Sequence, residues 1–156
     1  MSSFERARWL ALLVPAGLML GALGSQYIGG LYPCEMCYWQ RWPHDLAIVA
    51  AMFSFGLRNH VWKGRFVALA ALGILVSGLI GVFHAGVEYG WWDGITRCTS
   101  TAGGSGDLMA DIMNAPLIRC DQPQWELFGI SLAGYNALVS ISVALVIFGL
   151  LRHKEA

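Results

Sequence analysis

Four long apolar stretches, about Trp9 to Ile28, Arg41 to Leu57, Phe66 to Val87 and Leu127 to Leu151, constrain this chain more than any other feature. A hydrocarbon core of roughly 30 Å takes about 20 helical residues at 1.5 Å rise, and the first, third and fourth stretches meet that length. The second is shorter. Counted from Pro43 to Leu57 it reaches only about 22 Å, so its helix is expected to begin near Cys37, with Pro43 kinking the early turns. The expected spans are 9–28, 37–57, 66–87 and 127–151. The fold class is all-α, an integral membrane four-helix bundle forming one domain over 1–156, with two extracytoplasmic loops at 29–40 and 88–126. The first stretch ends in Ser25-Gln26-Tyr27 without a small-x-small cleavage site and reads as a span rather than a signal peptide. Composition agrees, since 56% hydrophobic and 13% charged residues depart far from a soluble domain. A formal net charge of zero leaves no surplus of Lys and Arg for nucleic-acid phosphate.

Orientation follows from the Lys/Arg bias of the short connections. Arg6 and Arg8 precede span 1, Arg58, Lys63 and Arg65 join spans 2 and 3, and Arg152 with Lys154 follows span 4. Both termini are therefore expected in the cytoplasm. The long connection from Glu88 to Glu126 has only Arg97 and Arg119 as cations, which puts it on the opposite face. Trp39, Trp42, Trp91, Trp92 and Trp125 gather at that boundary, at headgroup depth. Within the long loop, Thr99 to Gly106 reads as a flexible tether. Residues Asp107 to Ile118 read as a short interfacial helix or as a plain loop.

All four cysteines lie in the two polar connections and none in an apolar stretch. Cys34-Glu35-Met36-Cys37 stands just before a helix, where the positive end of the macrodipole and unpaired N–H groups stabilise a thiolate. Cys98 and Cys120 share the second loop, where an oxidising compartment allows a disulfide to persist. Inert staples or a metal-holding Cys-x-x-Cys are the alternatives. Zinc, however, wants four ligands, and Cys98 and Cys120 are too widely spaced for a second knuckle. Arg41, four residues after Cys37, is placed to stabilise a thiolate and to donate to the carbonyl oxygens of a lipid-soluble electron acceptor; otherwise it is a snorkelling interfacial arginine. His84 and Glu88 share one helix face at similar depth, either as a polar wall for a headgroup or as an interfacial histidine beside a solvated carboxylate. A haem role for His84 would need a second histidine at matching depth, and only His44 is available.

Pro33-Cys34-Glu35-Met36-Cys37 followed by Gln40-Arg41, then His84-Ala85-Gly86-Val87-Glu88, and Cys120 followed by Trp125-Glu126-Leu127-Phe128-Gly129-Ile130-Ser131 together resemble the bacterial disulfide-bond-formation protein B (DsbB) family. The resemblance covers nearly the whole chain. It implies a thiol:quinone oxidoreductase of the bacterial inner membrane with periplasmic redox loops. Such an enzyme reoxidises a periplasmic thioredoxin-like protein of the DsbA type and passes two electrons to ubiquinone or menaquinone. By the same resemblance, the reduced partner attacks Cys98 and forms a mixed disulfide. The freed Cys120 then exchanges with the Cys34/Cys37 disulfide, and Cys37 faces the quinone beside Arg41; His84 and Glu88 are candidate quinone contacts from their shared helix face alone. Two other classes stand against this one: a haem- or metal-carrying membrane electron-transfer protein, and a structural or transport four-helix protein with inert disulfides. Bound metal or a Soret band marks the first. Cysteine bonds that resist mild reductant, below about −300 mV, mark the second.

Overall fold

The computed structural model describes residues 1–96 and 118–152. Cys98, the tether expected at 99–106, most of the segment expected at 107–118, and Lys154 lie outside the described residues. Four helices run through the rest: α1 (Ser3–Tyr27), α2 (Glu35–Gly56), α3 (His60–Glu88) and α4 (Leu132–Arg152). A two-stranded hairpin, β1 (Glu126–Leu127) and β2 (Ile130–Ser131), precedes α4.

Local chemistry sets these boundaries. Ser2 caps α1 by accepting from the Glu5 N–H at 3.2 Å, the Ser-x-x-Glu capping arrangement. Asn59 caps α3 through the Val61 N–H at 2.8 Å. At the other end of α3, Gly90 takes a left-handed φ of 69°, which lets the Trp91 N–H reach back to the Gly86 carbonyl at 2.8 Å and close a Schellman turn. α2 starts at Glu35, capped by the Cys34 sulfur, so 22 residues give it about 33 Å. α4 starts at Leu132 because 126–131 forms the hairpin, which an apolar run alone does not distinguish from helix. Phe128 and Gly129, at φ 52° and 74°, make its tight turn.

α1, α3 and α4 are long and apolar enough to cross a membrane; α2 has the length but carries Glu35, Arg41 and Asp45 in its first half. The distribution of side chains points the same way. Leu20, Leu79 and Leu145 are exposed, while Ala47, Ala71, Ser77 and Ser140 are fully buried. A soluble protein reverses that order, whereas membrane helices pack through small residues and turn leucines to lipid. The chain is an integral membrane four-helix bundle.

α3 packs most extensively on α2 and α4, and α1 closes the ring against the same two helices. Close approach depends on missing side chains: a Cβ on Gly73 would meet the Pro43 carbonyl at 2.8 Å, and one on Gly78 would meet Ile141 Cγ1 at 2.8 Å. Phe4, Ala7, Ala47, Ala50, Val67, Ile74 and Ile147 build an apolar core at one end. There Arg8 pairs with Glu5 at 2.6 Å and lies 4.1 Å from the Phe55 ring centre. A second buried cluster, Cys34, Met36, Val87 and Cys120, forms the other end. Between the two lies a polar layer of Gln40, His44, Ser77, Asn136 and Ser140.

Candidate functional site

The site begins where α2 begins. Pro33 holds the preceding chain extended, Cys34 takes the N-cap position, and its Sγ accepts from the Cys37 N–H at 3.2 Å. The two sulfurs of Cys34 and Cys37 are 2.7 Å apart, both as free cysteines. The hydrogen bond with Cys37 and burial together push the Cys34 thiol well above its ordinary range, so Cys34 keeps its proton in the reduced pair.

α3 lays His84 against this pair, its Nε2 3.5 Å from Cys34 Sγ. Gln40 Nε2 donates to His84 Nδ1 at 2.8 Å and to the Met36 carbonyl at 3.2 Å. Because that amide nitrogen is fixed as a donor by the Met36 carbonyl, the neutral imidazole carries its hydrogen on Nε2, on the sulfur side. Glu88 Oε1 lies 3.6 Å from the same Nε2, and the other Glu88 oxygen accepts from the Ser131 hydroxyl. Ser131 is tied in turn to Tyr89, whose hydroxyl receives the Ser131 N–H at 2.8 Å and donates to the Gly129 carbonyl at 3.1 Å. The hairpin is thereby latched to the end of α3, next to the cysteines.

Arg41 faces α1. Its guanidinium donates to Gln26 Oε1 at 2.6 Å and to the Ala22 carbonyl at 3.3 Å, and lies 5.4 Å from the Tyr38 ring centre. At least two of its five N–H groups are thus engaged, and the rest are free to meet a ligand.

The cysteine pair, Gln40, Arg41, His84 and Glu88 open on one cavity of about 280 Å³, walled by all four helices and the two loops. Cys34, Cys37, Arg41, His84 and Glu88, five residues singled out from the sequence, line it together. Cys120 is disulfide-bonded and buried in the same cluster as Cys34. Cys98 lies outside the described residues. Gln40, His44 and Asn136 also line the cavity, and the sequence reading gave them no role at the site beyond noting His44 as a depth match for His84. Their signal was present: Gln40 and His44 follow Cys37 at helical spacing, and Asn136 is an amide inside an apolar span. The ligand atoms of Cys34, Cys37 and His84 lie within 4.8 Å of one another, a donor set able to hold a thiophilic metal ion.

A dithiol at a helix start, with Cys34 buried and Cys37 half-buried beside a cavity of a membrane bundle, defines a membrane protein of thiol–disulfide chemistry. The chain belongs to the DsbB family: the model of the family described as disulfide bond formation protein DsbB matches residues 5–150. Among curated relatives, Disulfide bond formation protein B of Nitrosomonas eutropha is 25% identical, covering 94% of this chain and 93% of its own length. The protein of the same name from Marinobacter nauticus is 26% identical over the same shares, 94% and 93%. That from Alkalilimnicola ehrlichii is 38% identical over 51% of this chain and 49% of its own. No solved structure matches the chain significantly. The protein is accordingly a membrane oxidoreductase of disulfide-bond formation.

Proposed function

We propose that this protein is a thiol:quinone oxidoreductase of the bacterial inner membrane, which reoxidises a periplasmic thioredoxin-like dithiol protein of the DsbA type and delivers the electrons to ubiquinone or menaquinone. One observation carries the reading: the Cys34/Cys37 pair opens directly on a cavity that is walled by membrane helices and reached by a guanidinium. A volume of about 280 Å³, just under the range of roughly 300 to 1,000 Å³ for ligand sites, suits a single-ring headgroup. Gly17 and Gly21 of α1 line it with open space where a Cβ would stand, which leaves width for a flat ring. Arg41 would donate to a carbonyl oxygen of the headgroup, with His84 and Glu88 at the end nearest the sulfurs.

A bound quinone supplies an acceptor for two electrons and two protons. The protein's own residues do the rest. A partner thiolate attacks Cys98, forming a mixed disulfide and releasing Cys120 as a thiol. Cys120 attacks Cys34, displacing Cys37, and its burial in the same cluster as Cys34 supports this direct exchange. A second partner thiol then resolves the mixed disulfide at Cys98. Cys98 then attacks Cys120, re-forming their disulfide and releasing Cys34, and reoxidation of the Cys34/Cys37 dithiol gives up two electrons and two protons per disulfide made in the partner. Cys37, at the cavity wall next to Arg41, is the sulfur that faces the acceptor. Both termini lie in the cytoplasm and both redox loops in the periplasm, in keeping with the Arg/Lys bias.

The test is an anaerobic assay of quinone reduction by a reduced thioredoxin-like partner, with and without this protein. Reduction that depends on the protein and consumes two thiols per quinone is expected. No acceleration of quinone loss would remove the reading.

A further inference from the structure

We propose that Gln40 is a positioning residue that keeps the reduced Cys34/Cys37 pair from capturing a thiophilic divalent cation such as Zn²⁺, by holding the ring hydrogen of His84 on the nitrogen that would bind the ion. This role concerns the dithiol and does not depend on which acceptor oxidises it.

The hazard is built into the site. Cys34, Cys37 and His84 bring three ligand atoms within 4.8 Å of one another. Two thiolates and an imidazole are a donor set that holds zinc with the fourth position open to water. Cys34 Sγ and His84 Nε2 stand 3.5 Å apart. Zn–S and Zn–N bonds of about 2.3 and 2.0 Å at a tetrahedral angle put their far ends about 3.5 Å apart as well. The two sulfurs, 2.7 Å apart, would part to about 3.8 Å on the same ion, a rotation of the half-buried Cys37 side chain. A pair held in this way has released both thiol protons to water and is withdrawn from disulfide exchange.

An imidazole binds a metal through a nitrogen that carries no hydrogen. His84 presents Nε2 to the sulfur of Cys34, and its Nδ1 faces Gln40 Nε2 at 2.8 Å. That amide is fixed from both sides. The Met36 carbonyl, an acceptor only, takes an N–H of Gln40 Nε2 at 3.2 Å. Gln40 Oε1 receives Asn136 Nδ2 at 2.8 Å, and the Ser77 carbonyl fixes Asn136 Nδ2 as a donor at 3.3 Å. Ser77 spends its hydroxyl hydrogen on the Gln40 carbonyl at 2.8 Å, so its Oγ also accepts from Asn136, at 3.1 Å. Two backbone carbonyls thus orient both amides, and Gln40 meets His84 as a donor. The ring hydrogen stays on Nε2. Moving it to Nδ1, as metal binding requires, sets N–H against N–H inside the bundle or costs the amide its Met36 and Asn136 partners. Metal sites show the reverse arrangement, in which the far nitrogen of a ligating histidine donates to a carboxylate or carbonyl. Gln40 presents nitrogen where such a site presents oxygen.

The experiment measures Zn²⁺ affinity, by competition with a chromophoric chelator, and the thiolate-to-metal charge-transfer band with Co²⁺, for the anaerobically reduced full-length protein in nanodiscs. Cys98→Ser and Cys120→Ser are present throughout, so that Cys34 and Cys37 are the only thiols. Gln40→Glu, which offers Nδ1–H an acceptor, should tighten Zn²⁺ binding about tenfold to a hundredfold and strengthen the Co²⁺ band at a given Co²⁺ concentration. Adding His84→Phe should remove that gain, which separates the ring's part from the attraction of an added carboxylate. A second readout needs no Gln40 variant: ¹⁵N NMR of the reduced protein should place the His84 hydrogen on Nε2. Equal Zn²⁺ affinities with and without Gln40→Glu, a gain that survives His84→Phe, or a His84 hydrogen on Nδ1 would each overturn the assignment.

Discussion

Gln40 donates to His84 Nδ1 at 2.8 Å and thereby turns the other ring nitrogen, with its hydrogen, toward Cys34 Sγ at 3.5 Å. A residue of α2 thus sets the tautomer of a residue of α3, and the sulfur pair sits between the two helices. Gln40→Leu removes that control and also takes from Asn136 Nδ2 its Gln40 Oε1 acceptor, leaving it only the Ser77 oxygens. The expected cost is about 1 to 3 kcal/mol of stability from unsatisfied buried groups, together with a turnover slowed about tenfold. Thermal unfolding and steady-state thiol oxidation measure the two effects. Wild-type turnover in Gln40→Leu would make the His84 orientation irrelevant to the chemistry.

Arg41 bridges α2 to Gln26 of α1 at 2.6 Å while facing the cavity. A charge-assisted hydrogen bond contributes roughly 1.5 to 3 kcal/mol, so Arg41→Ala should raise the apparent quinone KM about tenfold to a hundredfold and leave the partner's KM unchanged. Arg41→Lys keeps the charge but loses the planar fork and should fall in between. Gln26→Leu removes the shorter of the two α1 contacts of the guanidinium and leaves the Ala22 carbonyl, and a smaller rise of about threefold in quinone KM is expected. Rates at several quinone concentrations decide; an unchanged KM in Arg41→Ala would return this arginine to a snorkelling role.

The two-pair relay predicts distinct failures for distinct cysteines. Cys98→Ala should abolish the mixed disulfide with the partner, and Cys37→Ala should retain partner capture while losing quinone reduction. Non-reducing gels and quinone absorbance follow the two separately. Full turnover by Cys98→Ser would sink the relay.

Packing gives a prediction independent of redox chemistry. A Cβ at Gly78 would lie 2.8 Å from Ile141 Cγ1 and 3.1 Å from the Ile141 backbone nitrogen. Gly78→Ala should therefore push α3 from α4 and destabilise the bundle by about 1 to 3 kcal/mol. Gly149→Ala, where a Cβ meets nothing within 4 Å, is the matched control and should be near neutral. Equal unfolding midpoints for the two variants would contradict the close-approach account.

The bundle was legible in the sequence because bilayer thickness fixes helix length, and the arginine-rich short connections pair with four apolar stretches. The cysteine pair and Arg41 were legible because their spacing along one helix is local. The polar layer was not. Gln40, His44, Ser77 and Asn136 come from three helices, and only their packing reveals that two linked amides, Gln40 and Asn136, each orient one imidazole. The hairpin before α4 was hidden for a different reason: Leu127-Phe128-Gly129-Ile130 is as apolar as a helix start, and the deciding feature is a turn with positive φ at Phe128 and Gly129. The latch from Glu88 to Ser131 follows from that hairpin and was out of reach with it.

The central claim is that the Cys34/Cys37 dithiol itself delivers electrons to a quinone in the adjoining cavity. A single anaerobic turnover tests it without any partner: fully reduced protein is mixed with one equivalent of a short-chain ubiquinone, and quinone absorbance and free thiols are followed together. The account predicts one quinone reduced for each Cys34–Cys37 disulfide formed, and no reduction in Cys37→Ser. Quinone that stays oxidised while the pair remains reduced, or reduction that persists in Cys37→Ser, would contradict it.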